Sequence, residues 1–243
     1  MFSIVCVYND QYILSEYLLK SLNIQINRYE LILIDNTNKK FKSAAEALNY
    51  GGQKASNDYI MFVHQDMDMS SPTWLKDAEN YLNSYEKLGV AGVAGRSKKY
   101  WWPITNIKDG IPPHLISPYP INVPTKVETL DECLMIIPKK IFDNLSFDEV
   151  VCDNWHLYGV DYCLTVEKLG YEVYVLPLYA YHRSKGYSLS EKYYNTLNNL
   201  LKKHRNHKLI LTTVEDWITF LPLNFQRRLP LIKNLLVTFL MKL

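Results

Sequence analysis

Tyr59-Ile60-Met61-Phe62-Val63-His64-Gln65-Asp66-Met67-Asp68-Met69 is the stretch on which the reading of this chain turns. An apolar run of strand character ends in a polar tip with a histidine and two carboxylates. Open α/β sheets collect ligands outside the ends of their strands. Asp66 and Asp68 are two apart, so on extended backbone both face one side. Paired carboxylate oxygens suit a hard divalent cation, Mg²⁺ or Mn²⁺, shared with the phosphates of a substrate. Taken alone, so short a spacing reads more readily as a turn of solvated acids. The rest of the chain separates the two readings.

Working outward, short apolar strands alternate with helical periodicity. Phe2 to Tyr8 is a buried strand ending at Asn9-Asp10, where a helix over about 12–22 can be capped. Glu30 to Ile34 is a second strand, closed by Asp35-Asn36-Thr37-Asn38. A helix follows from Ser43 to about Ala55, then the Tyr59–Val63 strand. Ser70-Ser71-Pro72 opens a helix to about Lys87, and Gly89 to Ala94 is a fourth strand. This alternation predicts a mostly parallel sheet with crossover helices, each strand ending in polar residues at one edge. Residues 95–124 break the rhythm with Trp101, Trp102 and six prolines; a loop this long in a compact domain is usually functional. One or two strands over Val127–Ile137, a short helix from Pro138, a helix from Asp161 to Leu169 stopped by Gly170, and a strand over Glu172–Leu176 complete the unit. A helix from Ser190 to Arg205 starts a C-terminal extension. The division expected is 1–190 for the α/β domain and 191–243 for the helical extension.

Composition agrees with one globular unit: of 243 residues, 48% are hydrophobic and 21% charged. Nineteen tyrosines offer faces and hydroxyls suited to sugars and nucleotides. Cys6, Cys133, Cys152 and Cys163 form no CxxC pair and read as reduced thiols of a cytoplasmic protein. Met1-Phe2-Ser3-Ile4 has no basic region, so it does not read as a signal peptide, and no apolar run is long enough for a transmembrane helix. Net charge is +2, yet the part from Lys202 onward holds eight Lys/Arg against Glu215 and Asp216. A basic tail of this kind suits an anionic membrane surface. With few aromatics among those bases, nucleic acid is not the expected partner.

Four landmarks, in order, then carry a resemblance. They are Ser3-Ile4-Val5-Cys6-Val7-Tyr8-Asn9; Leu31-Ile32-Leu33-Ile34-Asp35-Asn36; Ala47-Leu48-Asn49-Tyr50-Gly51 followed by His64-Gln65-Asp66; and Trp155-His156-Leu157-Tyr158-Gly159-Val160-Asp161-Tyr162-Cys163-Leu164 followed by Gly170-Tyr171 and His182. Over about residues 2–190 the chain resembles family 2 glycosyltransferases of the GT-A fold, in their StrF-like branch. Val7 stands where that family usually has proline. His64 stands where many members have the first Asp of the metal motif, which leaves Asp66 as the aligned ligand and Asp68 as a second ligand or a surface acid.

The resemblance implies a metal-dependent transfer of a sugar from a nucleotide diphosphate, a UDP-sugar, to an acceptor hydroxyl of a glycan, glycopeptide or lipid-linked acceptor. It implies Val7, Tyr8, Asn9, Asp35, Asn36, Asn49, His64 and Gln65 at the donor, with Asp35 accepting from the uracil N3–H. Asp66, Asp68 and His182 would serve the metal, Mn²⁺ or Mg²⁺. Asp161 would be the base of an inverting reaction, although Asp at a helix start is also an ordinary cap. His156 reads as an acceptor contact, a support for Asp161 or a structural residue. Trp101 and Trp102 read as sugar platforms or as the plug of a mobile lid. Asp131 and Glu132 are candidate hydrogen-bond partners of acceptor hydroxyls. Two rivals stand beside this reading. One is another metal-dependent nucleotide transferase, though neither GxGxxG nor a P-loop occurs. The other is a non-catalytic sugar-nucleotide-binding homologue.

The tail from Leu231 to Leu243 is mostly apolar, with Lys233, Asn234, Thr238 and Lys242 as its polar positions, the last three at four-residue steps on one helical face. Such a helix must lie on a membrane, join a second subunit or pack on its own domain.

Overall fold

The computed structural model describes residues 1–184 and 189–242. Residues 185–188, ahead of the helix expected from Ser190, and Leu243 of the tail lie outside the described residues. Seven strands form the main sheet: β1 (Phe2–Tyr8), β2 (Tyr29–Asp35), β3 (Tyr59–Val63), β4 (Leu88–Gly92), β5 (Thr125–Lys126), β6 (Leu134–Pro138) and β7 (Glu172–Val175). Their order is β5-β7-β4-β6-β3-β1-β2. β1 runs parallel to β2 and β3, and β7 parallel to β4. β6 enters antiparallel between β3 and β4. The sheet is therefore mixed at its centre, and an α/β layer structure flanked by helices is present as expected.

Local chemistry explains the elements. β1, β3 and β6 are near-continuous apolar runs because both faces of a central strand are covered. Asp10 accepts from the Ile13 amide and starts the first helical segment, which spans Gln11–Leu14, a π-helical Ser15–Leu19 and Lys20–Asn23. Ser43 accepts from the Glu46 amide while Glu46 reaches back to the Lys42 amide, a variant of the capping box that opens the Ala44–Gly52 helix. That helix lies close on the sheet only because it ends in glycines. A Cβ at Gly51 would come within 2.4 Å of Val5 Cγ1, and one at Gly52 within 2.4 Å of Phe142 Cε1.

Three expectations need correction. Residues 95–124 are not simply a loop. Ala94–Arg96, Ile104–Thr105, Ile107–Asp109 and His114–Leu115 are short strands in two small sheets. Pairs this short carry too little alternation to be read from sequence. The helix expected from Asp161 begins at Tyr158, after Leu157 in a left-handed conformation (φ 65°). The Pro72–Lys87 helix is shorter, Trp74–Leu82.

Residues 191–242 are sewn onto the α/β unit by polar contacts as well as apolar ones. The Glu191–Lys203 helix brings Lys203 and His204 to Asp161, each at 2.8 Å from a different carboxylate oxygen. Arg96 pairs with Asp216 at 2.6 Å, and Thr129 Oγ1 donates to the Leu211 carbonyl at 2.7 Å. In the tail helix Pro230–Leu240, Lys233 is 1% exposed, pairs with Glu215 and lies 4.4 Å from the centre of the Trp217 ring. The tail thus packs on its own protein through Lys233 and Val237.

Asp161 is one of the buried joints, 2% exposed. Asp161→Ala leaves His204 buried without its carboxylate and Lys203 with Asp148 alone, and breaking a buried pair from one side costs about 3–5 kcal/mol. Urea unfolding of this variant should show a loss of that order.

Candidate functional site

The parallel register sets the site. Tyr8 lies beside Asp35, and Val5 beside Phe62, so β1, β2 and β3 release their polar residues at one edge. A cleft of about 1200 Å³ opens there, lined by Val7, Tyr8, Asn9, Asn36, His64, Gln65 and Asp66. Gln65 ties the edge together: its Oε1 accepts from the Asn9 and Asp10 amides at 3.0 Å, and its Nε2 donates to Asn9 Oδ1 at 2.8 Å. Asn36 Oδ1 accepts from the Phe41 amide at 2.9 Å and shapes the loop after β2. Asp35 stands exposed at the end of β2, beside Tyr8 and outside the lining of the cleft. The amide and hydroxyl of Thr37 hold its carboxyl below the usual carboxylate range. Asn49 is a correction: it is buried away from the cleft, bonded to the Phe147 backbone and to Glu149.

His64, Asp66 and His182 bring one ligand atom each within 4.8 Å of one another. Two local pairings make this possible. After β3 the chain turns at His64–Asp66, then Met67–Asp68 pairs antiparallel with Ala180–His182, setting His182 opposite Met67. His182 Nε2 lies 3.3 Å from Asp66 Oδ1, and the Ser184 amide donates to Asp66 Oδ2 at 3.1 Å. Burial opposes charge on Asp66, but His182, then His64 and Ser184, outweigh it and hold the carboxyl far below its ordinary range. Burial works against protonation of both histidines; Asp66 overcomes it at His182, whose pKa rises, but not at His64, whose pKa falls. A carboxylate with two imidazoles is a donor set that Mn²⁺ and related ions accept. Asp68 is not part of it. The turn breaks the strict alternation, and Asp68 faces other surroundings, where burial raises its pKa against the pull of Lys20.

Behind this cluster lies a cavity of about 410 Å³, bounded by His64 and His182 on one side and by Asp131, Glu132, Trp155, His156 and Tyr193 on the others. The antiparallel direction of β6 places Asp131 and Glu132, which precede it, at the edge where the parallel strands end; the His64 amide donates to the Cys133 carbonyl at 2.9 Å. Asp131 is held by the Thr213 hydroxyl at 2.5 Å and the Cys133 amide at 3.0 Å. His156 packs edge-on to Tyr193, and burial lowers its pKa. Asp161 is a second correction. Its helix does begin at the cavity, but its carboxylate points the other way, into Lys203 and His204. Trp101 and Trp102 line neither hollow among the described residues. Trp102 packs at a tilt against Tyr119, ring centres 4.6 Å apart, and Trp101 is 52% exposed.

Several wall residues carried no signal in the sequence. Lys39, Lys42, Arg183 and Lys192 surround the cleft, and Tyr193, Thr212 and Thr213 reach the cavity from the extension. Only Arg183, one residue from His182, could have been singled out.

A model of the glycosyltransferase-like family matches residues 2–210. The chain belongs to that family. A curated protein of Fuscovulum blasticum, described as ATP synthase subunits region ORF 6, is 26% identical over 155 residues, which is 60% of this chain and 59% of that protein. Among solved structures, S. aureus TarS 1-349 in complex with UDP-GlcNAc aligns with a TM-score of 0.60 at 15% identity, over 87% of this chain and 68% of that one. The mannosyltransferase PcManGT from Pyrobaculum calidifontis, in complex with GDP-Man and Mn²⁺, gives 0.59 at 13%, over 85% and 64%. GalNAc-T7 with UDP, GalNAc and Mn²⁺ gives 0.56 at 12%, over 82% and 47%. At these identities the likeness to the solved structures is one of fold.

For a glycosyltransferase-like chain with this cluster, Mn²⁺ titration followed by calorimetry in the presence of UDP should show binding. Asp66→Ala should abolish it and His182→Ala should weaken it by roughly 10–100-fold. Asp68→Asn should leave it unchanged.

Proposed function

We propose that this protein moves a sugar from a nucleotide-diphosphate donor, a UDP-sugar, to a hydroxyl of a growing glycan, glycopeptide or lipid-linked acceptor, with inversion at the anomeric carbon. One observation carries the reading: the His64–Asp66–His182 cluster stands where a cleft rimmed by lysines and an arginine meets a second cavity. That is the layout a transfer between two bound sugars requires, with the leaving group on one side of the reacting carbon and the acceptor on the other. The order of landmarks around Trp155 to Leu164 supports a place in the StrF-like branch.

The chain's own groups divide the work. Lys39, Lys42, Arg183 and Lys192 attract and hold a diphosphate in the cleft. Tyr8 flanks the base, and Asp35, kept charged by Thr37, accepts from a uracil N–H. His64, Asp66 and His182 hold the divalent ion, Mn²⁺ or Mg²⁺, whose charge offsets that developing on the leaving diphosphate. Asp131, Glu132 and His156 bound the acceptor side. A panel of UDP- and GDP-sugars incubated with protein and Mn²⁺ tests the reading. One UDP-sugar should be slowly hydrolysed without added acceptor, and the released sugar should have inverted configuration by NMR. Asp35→Ala should weaken UDP binding on the order of tenfold, the loss of one charge-assisted hydrogen bond. Unchanged UDP affinity, or release from GDP-sugars alone, would set the uridine assignment aside.

The tail helix supports a second element of the proposal, peripheral contact with the inner face of a membrane. Lys233 and Val237 face the protein, while Leu231, Leu235 and Phe239, at four-residue steps, are 79%, 70% and 59% exposed. Exposed Arg228 and Lys242 stand at its two ends. Among the described residues no helix is long and apolar enough to cross a membrane. An apolar stripe between bases suits the surface of an anionic bilayer. The protein should float with phosphatidylserine-containing vesicles and not with neutral ones, and Leu235→Glu with Phe239→Glu should abolish flotation at unchanged particle mass. A particle mass that halves in that variant would assign the stripe to a second copy of the chain instead.

A further inference from the structure

Resting on the glycosyltransferase reading, we propose that Glu132, rather than Asp161, is the general base that takes the proton from the acceptor hydroxyl. Asp161 has both carboxylate oxygens engaged by Lys203 and His204, on the side of its helix away from the cavity. Glu132 lines the cavity together with His64 and His182, so an acceptor seated there has its hydroxyl between this carboxylate and the place where the donor cleft ends.

The carboxylate is held in place. Its Oε1 accepts from the Gly159 amide at 3.0 Å, in the first turn of the Tyr158–Lys168 helix, and the Leu157 and Tyr158 amides face it as well. Its backbone carbonyl accepts from the Tyr158 hydroxyl at 3.3 Å, and the same hydroxyl lies 3.3 Å from His64 Nε2. Gly159 is what admits it. A Cβ at that position would come within 2.9 Å of Glu132 Cγ and 2.9 Å of Met135 Sδ. The helix start therefore supplies no side chain of its own here, and the strand supplies Glu132 in its place.

The surroundings also suit the task. Burial, then the neighbouring Asp131 charge, push the Glu132 carboxyl up to about 8, against the pull of the helix amides. Tyr158, Tyr193, Cys152 and Cys163 face the same charge. Asp131, bonded by Thr213 and the Cys133 amide, is held below its ordinary range despite burial and is the weaker base. A base with a pKa near the working pH is the efficient one. In the step itself a lone pair of the acceptor oxygen forms the bond to the anomeric carbon. The bond from that carbon to the β-phosphate oxygen breaks, and its electron pair leaves with the nucleoside diphosphate. The hydroxyl proton passes to Glu132.

The test follows nucleoside diphosphate released from UDP-sugars and GDP-sugars with Mn²⁺, water standing in as acceptor, between pH 6 and 9.5. In the unaltered protein turnover should rise with pH through about 8 and then level. Glu132→Gln, which keeps an oxygen for the Gly159 amide, should lower turnover by about 100-fold or more and remove the rising limb. UDP affinity by calorimetry should stay within about twofold. Glu132→Asp should restore part of the turnover together with the limb, which a purely structural role would not do. Turnover and pH limb intact in Glu132→Gln overturn the assignment alone. A limb that disappears instead in His156→Gln transfers the role to His156 and also overturns it. No release from any donor by the unaltered protein overturns the glycosyltransferase reading, and this assignment with it.

Discussion

The direction of one strand organises the site. β1, β2 and β3 are parallel, so their C-terminal ends share an edge. A parallel strand placed beside β3 would bring its C-terminal end to that edge too. β6 is antiparallel, Leu134 beside Val63 and Pro138 beside Tyr59, so what reaches the edge is the segment leading into it. Asp131, Glu132 and Cys133 are that segment, and the Cys133 carbonyl takes the His64 amide. Ligand chemistry at strand ends is the general rule of open α/β sheets. Here the reversal adds carboxylates from a strand's beginning to groups from the ends of its neighbours. Reverse β6 and the cavity loses its acidic wall.

The far wall depends on the C-terminal extension, held by ion pairs in each of which at least one partner is buried. Asp161 with Lys203 and His204, Arg96 with Asp216, and Lys233 with Glu215 all bridge or brace this junction. Buried ion pairs gain little over apolar packing in net stability, yet losing one partner is severe. They are well suited to fixing one arrangement among many. Oily surfaces slide, whereas a carboxylate between an ammonium and an imidazole does not. The cavity residues Tyr193, Thr212 and Thr213 arrive through this docking, so the extension is part of the site and not an appendage to it.

Legibility in the sequence followed the range of the interaction. β1, β2 and β3 and the cluster around Asp66 announce themselves in local pattern, an apolar run ending in polar groups, and the family resemblance adds order to those patterns. Asp68 was misplaced because alternation holds only on extended backbone, and the turn at His64–Asp66 is not extended. Asp161 was misplaced because a helix start offers a cap, a cleft residue or a joint in the same letters. Only the position of Lys203 and His204, some forty residues on, decides between them. Trp101 and Trp102 suggested a platform by composition, but composition carries no direction. The tail was expected to cover its apolar sides, and within the chain it does so only at Lys233 and Val237, while Leu231, Leu235 and Phe239 stay exposed. Its one buried cation, Lys233, has the letter of a solvent residue and the environment of a core one, with Glu215 and the Trp217 face around it.

Asp66 lines the cleft and Glu132 the cavity, His64 lines both, and the environments of the two carboxyls push them in opposite directions. Asp66 sits against His182, His64 and the Ser184 amide and stays ionised; Glu132 is pushed up by burial and then by Asp131, against the Gly159, Leu157 and Tyr158 amides, and retains its proton up to about 8. Separation of this sort is how one cleft holds a fixed charge and a group able to exchange a proton. The two have opposite consequences for folding. A carboxyl depressed in the folded state adds stability above its unfolded pKa, and that stability is lost as pH falls through the folded value. A carboxyl raised from 4.5 to about 8 binds its proton more tightly folded than unfolded, so its stabilising contribution is present below 4.5 and drains away as pH climbs from 4.5 to about 8. Of the two groups it is Glu132 whose ionisation works against the folded state. Such a cost, maintained at a half-buried residue with a glycine opposite to make room for it, is hard to account for by packing alone.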